Sequence, residues 1–171
     1  MEQLSMKWRG DRPPVPDTAP GILITTYTEA DREGLRAALL PLTGKPYTDE
    51  ELDEVILNHF GVRPEGVFLA WMDGEIVGTT TGYFNPNGSG TIHMVSALEK
   101  AKGRGLGKIL CQHAMTYLVE NGCREIVLTT DDPRLPAIRT YLRLDFQPVV
   151  KDEAMEQRWK AVFEKLEKYR K

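Results

Sequence analysis

The stretch that most restricts what this chain can fold into is Lys102-Gly103-Arg104-Gly105-Leu106-Gly107-Lys108, in which three glycines alternate. Before it, Thr91 to Leu98 reads as a strand; after it, Leu106, Ile109 and Leu110 open a helix that runs to about Asn121, with Gly122 as its stop. A second strand, Glu125 to Thr130, follows that helix. Strand, tight turn, helix and strand make a βαβ unit, which requires at least one parallel pairing in the sheet.

The residues upstream of the turn demand the opposite pairing. Val67 to Met72 and Glu75 to Phe84 flank Asp73-Gly74, a two-residue hairpin turn, and the Asn85 to Gly90 loop leads into the Thr91 strand. That is an antiparallel meander joined to a βαβ unit, hence a mixed sheet with helices on its faces. Ile22 to Thr26 is a further short strand. Thr28 caps a helix that ends near Leu40 before Pro41, and Thr48-Asp49-Glu50-Glu51 is a capping box that starts a second, with Leu52, Val55, Ile56 and Phe60 on its apolar side. Beyond Thr130 come a helix over about 134–144, a strand from Phe146 to Val150, and a helix from Glu153 with Met155, Trp159, Val162, Phe163 and Leu166 along one face. The expected class is α/β with a mixed sheet, in the order β-α-α-β-β-β-α-β-α-β plus a C-terminal helix.

Three segments follow: an extended arm over 1–20, where Pro13, Pro14, Pro16 and Pro20 disfavour regular structure; a domain over 21–151; and an amphipathic helix over 152–171 that docks on it. The 171 residues carry 22 Lys plus Arg against 25 Asp plus Glu, a net charge of −3, so no overall basic field attracts nucleic acid or an anionic membrane. Cys111 and Cys123 are too few for a disulfide framework, and neither an apolar signal core nor a membrane-spanning run is present. These features fit a cytoplasmic protein in which any anion site is local.

The glycine turn is where such a site belongs. Glycines allow close approach of backbone to ligand, and the unpaired N–H groups of a first helical turn converge where the helix dipole favours an anion. Lys102, Arg104 and Lys108 add positive charge. A phosphate or pyrophosphate seat results, although a plain turn with solvated basic residues has the same pattern. A Walker A loop would need glycine at position 102 and Ser or Thr at 109, where Lys102 and Ile109 stand, and a G-x-G-x-x-G turn fails at Lys108 and Leu110.

Lys102-x-x-Gly105-x-Gly107 resembles the (Gln/Arg)-x-x-Gly-x-(Gly/Ala) motif of the GCN5-related N-acetyltransferase (GNAT) superfamily. Ala137-Ile138-Arg139-Thr140-Tyr141-Leu142-Arg143-Leu144-Asp145-Phe146 is similar to that family's A-I-x-x-Y-x-x-x-G-F segment. The likeness runs over about residues 91–150, with Lys102 in place of Gln or Arg, Glu99 where proline is frequent, Arg134 where many members have asparagine, and Asp145 in place of glycine.

The resemblance implies an acetyl-CoA-dependent acyltransferase that moves an acetyl group directly to an amine in a ternary complex. By that likeness, Val95, Ser96 and Ala97 hold the pantetheine arm by their main chain, a backbone N–H near Val95 is the oxyanion donor, and Lys102, Gly103, Arg104, Gly105, Leu106, Gly107 and Lys108 hold the pyrophosphate. Tyr141 is the candidate general acid, against a buried aromatic anchor as the plainer reading. His93 is the candidate base: two residues before Val95, it leaves the same face of an ideal strand. His59 and His113 read as structural. No metal is expected.

The acceptor is a small-molecule or peptide amine of unspecified kind, selected by the 28–66 helices and the Asn85–Gly90 loop. Asp49, Glu50, Glu51, Asp53 and Glu54 either attract a cationic acceptor or form a solvated helix face. The C-terminal helix and an open sheet edge can supply a homodimer contact. A non-catalytic acyl-CoA-binding regulatory module is the alternative of a different class.

Overall fold

The computed structural model describes residues 1–169, built on one seven-stranded sheet. In chain order the strands are β1 (Leu4–Arg9), β2 (Ile22–Thr26), β3 (Val67–Met72), β4 (Glu75–Phe84), β5 (Gly90–Ala97), β6 (Glu125–Thr130) and β7 (Gln147–Val149). The helices are α1 (Arg32–Ala38), α2 (Leu40–Thr43), α3 (Asp49–Leu52), α4 (Leu106–Glu120), α5 (Leu135–Arg143) and α6 (Glu153–Lys168). Across the sheet the order is β2-β3-β4-β5-β6-β1-β7. Neighbours pair antiparallel except β5 and β6, whose parallel pairing is the one the βαβ unit demands.

Two cores form, one on each face. Alternation along β3 sends Phe68 and Ala70 into the cluster that holds α4, and Val67 and Leu69 into the cluster that holds α1 and α3. The α4 side is the larger and includes Leu110, Met115, Leu118, Ile126 and Phe146, all fully buried. Met155, Trp159, Val162 and Leu166 of α6 are buried in the same cluster, whereas Phe163 is 39% exposed. On that helix Phe163 follows Val162 directly, about 100° round the axis, so it lies at the border of the buried stripe.

The N-terminal segment departs most from the expected arm. Leu4–Arg9 is a strand held between β6 and β7, and it pairs with β6 over its whole length. Leu4, Met6 and Trp8 are buried while Ser5, Lys7 and Arg9 face away, the alternation of a half-buried strand. The prolines act only afterwards. Residues 10–20 cross the surface of α4, where Thr116 Oγ1 donates to the Pro14 carbonyl (3.4 Å) and the Asp17 N–H donates to Gln112 Oε1 (2.9 Å).

Two helix expectations are also corrected. Pro41 does not end the helical region: it sits in the first turn of α2, where a missing N–H costs nothing. The Thr48 capping box forms, with Thr48 Oγ1 accepting from the Glu51 N–H, but α3 widens after Leu52 into a π turn over Asp53–Leu57. The Asn58 N–H reaches back five residues to the Asp53 carbonyl (2.7 Å), which shifts the helical phase and leaves Phe60 67% exposed instead of on the apolar side.

Candidate active site

The site is set by a parting of strands. β5 and β6 pair only at Gly90–Ile126 and Thr91–Val127, and beyond those residues they diverge. The same place on β5 is bulged. Thr79 opposes Ser96 and Thr81 opposes His93, so Met94 and Val95 together face the single residue Thr80. Met94 adopts φ 58°, a left-handed conformation that a non-glycine residue takes only when its surroundings enforce it.

That bulge overturns the expectation that His93 and Val95 share a face. Ile92, Val95 and Ala97 pack on the α4 side, whereas Met94 packs with the α1–α3 cluster. On that second side Ser96 Oγ donates to the Ala38 carbonyl (2.6 Å), and the His93 ring reaches the Val55 carbonyl. The left-handed residue resets the period-two alternation. His93 is thereby turned toward the helices, away from Val95.

Two cavities meet at this parting. The first, of about 490 Å³, runs from Val95, Ser96 and Ala97 to Gly103, Gly105 and Gly107 at the start of α4. The second, of about 750 Å³, lies on the other side and is bordered by His93, Tyr83, Thr91, Thr129 and Asp131, and by Tyr47 from the helical region. Val95, Arg134 and Tyr141 border both.

The first cavity fits a phosphorylated cosubstrate. Gly103 and Gly105 have φ of 81° and 72°, so their glycines are explained by the turn itself. Gly107 is different: its φ is ordinary, and a Cβ placed there would meet no protein atom within 4 Å. The fold leaves that position open beside the cavity. The N–H of Ile109 makes the α-helical bond to Gly105 O, so the N–H groups of Leu106, Gly107 and Lys108 precede the bonded ladder and are aimed at the turn. Of the three basic residues of the turn only Lys102 borders the cavity; its ammonium stands 3.4 Å from Glu99. Arg104 is exposed beside it. Lys108 pairs at 3.0 Å with Asp17, whose carboxyl this bond holds below its usual range.

Tyr141 comes from α5 and is 3% exposed, edge-on to Phe146 with ring centroids 6.3 Å apart. The Phe146 N–H closes on the Tyr141 carbonyl (3.0 Å) through Asp145, whose φ of 67° supplies the turn that the glycine of the family pattern would make. Burial pushes the Tyr141 hydroxyl above its ordinary pKa, and the Arg134 guanidinium opposes that shift.

His93 Nε2 lies 3.1 Å from the Val55 carbonyl. A carbonyl only accepts, so Nε2 carries the proton and Nδ1 keeps its lone pair. That carbonyl lies in the last turn of the helical segment, and the His59 N–H, which would meet it in a continued α-helix, bonds the Ile56 carbonyl instead. Burial lowers the His93 pKa below 6.5; the Val55 bond opposes the shift, and His59 adds to it. His59, read from sequence as merely structural, stands with its ring 5.6 Å from His93 and 4.6 Å from Tyr83. His113 packs on Phe68, away from this group.

One contributor was not foreseen from the sequence. Gln3, just before β1, donates to Asp131 Oδ1 (3.1 Å) and accepts from Thr129 Oγ1 (3.0 Å), so the N-terminal segment walls the second cavity. The Leu4-Ser5-Met6-Lys7-Trp8-Arg9 alternation was the signal available for it. Conversely, Asp49 and Asp53 of the acidic helix pair with Arg32 and Arg36 of α1, so much of that charge ties helix to helix. Among the described residues no group of His, Cys, Asp and Glu is arranged to hold a metal, and no helix is long and apolar enough to cross a membrane.

Comparison with known proteins agrees with this geometry. Mycothiol acetyltransferase from Thermomonospora curvata is 29% identical over 143 residues, covering 78% of this chain and 47% of the relative. Mycothiol acetyltransferase from Rhodococcus erythropolis is 29% identical over 162 residues, covering 85% and 54%. The chain thus spans about half the length of these curated relatives. Among solved structures, a GCN5-related N-acetyltransferase from Sphaerobacter thermophilus superposes with TM-score 0.73 at 28% identity, over 85% of this chain and 48% of that one. The fold is shared with AAC(6')-Iy in complex with the bisubstrate analogue CoA-S-monomethyl-acetylneamine (TM-score 0.64, 20% identity, 77% and 94% covered). The sequence model of the Acetyltransferase (GNAT) family matches residues 32–146. With the parted strands, the glycine turn and the tyrosine helix inside that span, the chain belongs to the GNAT acetyltransferase family.

Proposed function

We propose that this chain is an acetyl-CoA-dependent N-acetyltransferase that acts on a primary amine by direct attack in a ternary complex. The observation that carries the reading is the meeting of two cavities at Val95, Arg134 and Tyr141: a glycine-lined channel ends where a separate polar cavity begins. Acetyl-CoA, when bound, supplies the activated thioester. The N–H groups of Gly103 to Lys108 bind its pyrophosphate, and Lys102 and Arg104 add local positive charge. The main chain of Val95, Ser96 and Ala97, on the edge that β6 has parted from, takes the pantetheine amides, with an N–H near Val95 directed at the carbonyl oxygen.

His93 is the base. Its Nδ1 lone pair accepts a proton from the amine, directly or through a water, while Nε2 remains bonded to Val55. Tyr141 is the acid, and its hydroxyl gives a proton to the departing sulfur. A low imidazole pKa keeps His93 neutral and receptive at neutral pH.

For the acceptor we favour a small polar amine over a peptide. The second cavity is bordered by Gln3 and Tyr47 and by Thr91, Thr129 and Asp131, groups suited to hydroxyls and to a cation. The relatives are called mycothiol acetyltransferases, which agrees with a small polar acceptor. A cytoplasmic setting follows from the need for acetyl-CoA.

The test is thiol release from acetyl-CoA against panels of amino sugars, amino acids, polyamines and peptides. Amine-dependent release with at least one small polar acceptor is expected. Tight CoA binding without release from any panel would instead indicate a non-catalytic acyl-CoA-binding module.

A further inference from the structure

Arg134 occupies a place that neither cavity explains alone. It sits at the start of α5, half-buried, and borders both the cofactor channel and the acceptor cavity with Val95 and Tyr141. Its one side-chain hydrogen bond among the described residues is long, from Nη2 to the Val95 carbonyl at 3.4 Å. Three other partly buried arginines are neutralised: Arg32 by Glu29 and Asp53, Arg36 by Glu33 and Asp49, Arg158 by Asp132; Arg139, which faces away from both cavities, donates to the Leu166 carbonyl at 3.2 Å. Arg134 has no such carboxylate among the described residues. A guanidinium has five donors and stays charged, so a half-buried one with a single long bond retains most of its capacity for an anionic ligand atom.

We propose that Arg134 is a further catalytic residue, whose guanidinium stabilises the negative charge that builds on the CoA sulfur as acetyl transfer proceeds. In that transfer the amine nitrogen bonds to the acetyl carbon and the carbon–sulfur bond breaks, with its electron pair left on sulfur. One amine proton goes to His93, the Tyr141 proton goes to sulfur, and solvent returns the His93 proton to Tyr141, so that an amide and a free thiol result. The sulfur is charged before Tyr141 protonates it. A buried tyrosine hydroxyl with a raised pKa is slow to give up that proton, which is when a nearby fixed cation lowers the barrier most. Both groups border the point where the two cavities meet, which is where thioester and amine come together on the acetyl-CoA reading.

The proposal rests on the acetyl-CoA reading and is tested without the acceptor. The thiol of CoA bound to the chain is titrated by its ultraviolet thiolate absorbance, against protein alone, for the unaltered chain and for Arg134→Gln and Arg134→Lys. The chain's own Cys111 and Cys123 are buried with thiols pushed up, Cys111 to about 12, so they stay silent. His93, Tyr47, Tyr83 and Asp131 also face the acceptor cavity and Lys102 the channel, so Asp131→Asn and His93→Gln serve as controls that should leave the shift in place.

The bound thiol is expected to ionise roughly one pH unit or more below the value measured for free CoA under the same conditions. Arg134→Gln should return it by roughly one unit, and Arg134→Lys, which keeps the charge, should return it less. CoA affinity measured by calorimetry well below the thiol pKa should change little in either variant. A bound thiol that titrates like free CoA, or an equal shift in Arg134→Gln, overturns the role of Arg134 while leaving the acetyl-CoA reading intact. No CoA binding to the unaltered chain overturns both.

Discussion

The two halves of the site are built in different ways. The proposed cofactor channel comes from one continuous part of the chain: its floor is the turn from Lys102 to Gly107, one wall is the adjacent end of β5, and the other is the face of α5 with Ala137, Thr140 and Tyr141. The acceptor cavity gathers Gln3, Tyr47, Tyr83, His93, Thr129 and Asp131 from across the chain. A channel defined by backbone N–H groups and glycines tolerates change elsewhere. A cavity defined by side chains from many elements changes with every one of them, so the first half suits a common cosubstrate and the second a particular acceptor.

Substitutions separate the halves. Tyr141→Phe, at their junction, should have the largest effect: turnover falls roughly 10²–10⁴-fold with CoA affinity unchanged, read by thiol release and calorimetry. A drop in affinity that matched the drop in rate would make Tyr141 a packing residue instead. Gly107→Leu acts on the channel alone. A Cβ at this position meets nothing outside its own helix within 4 Å and opens toward the cavity, so thermal stability should hold while CoA affinity falls roughly 100-fold, about 2.7 kcal/mol. Unchanged affinity would move the pyrophosphate elsewhere.

His93→Gln acts on the acceptor side. Turnover should fall by roughly 100-fold with CoA affinity intact. The pH dependence carries the sign of the His93 shift: burial lowers its pKa, so the neutral base persists on acidification and the acidic limb of kcat lies below 6.5. A limb at or above 6.5 that survives in the variant would assign proton removal to another group. The smallest effect is expected for Gln3→Ala, a rise of a few-fold in acceptor KM, roughly 1 kcal/mol for one exposed hydrogen-bonding pair, with CoA affinity constant.

The same contrast explains what could be read in advance. The channel was legible because its determinants are contiguous: glycine spacing, helix start and the tyrosine segment all lie between Thr91 and Phe146. The elements from β2 to α6 follow local periodicity and caps, and the Asp73-Gly74 hairpin and the Thr48 box formed as their residues dictate. What was not legible depends on distant partners. Leu4–Arg9 has the alternation of a strand, yet nothing local says that it closes the sheet between β6 and β7. The π turn at Asp53–Leu57 and the left-handed Met94 are tertiary adjustments, and the second turns His93 away from the face that simple alternation gives it, toward the Val55 carbonyl. The proposed base is therefore placed by an irregularity that no periodicity announces.

The central claim is that one end of α4 and the parted end of β5 together hold acetyl-CoA. Hydrogen–deuterium exchange on addition of CoA tests it most directly. Protection is predicted at the amides of Val95 to Ala97 and Gly103 to Lys108, with the segment from Tyr47 to Val55 unchanged until an acceptor is present. Protection confined to the Gln3, Tyr47 and Asp131 side, with none at Gly103 to Lys108, would contradict it.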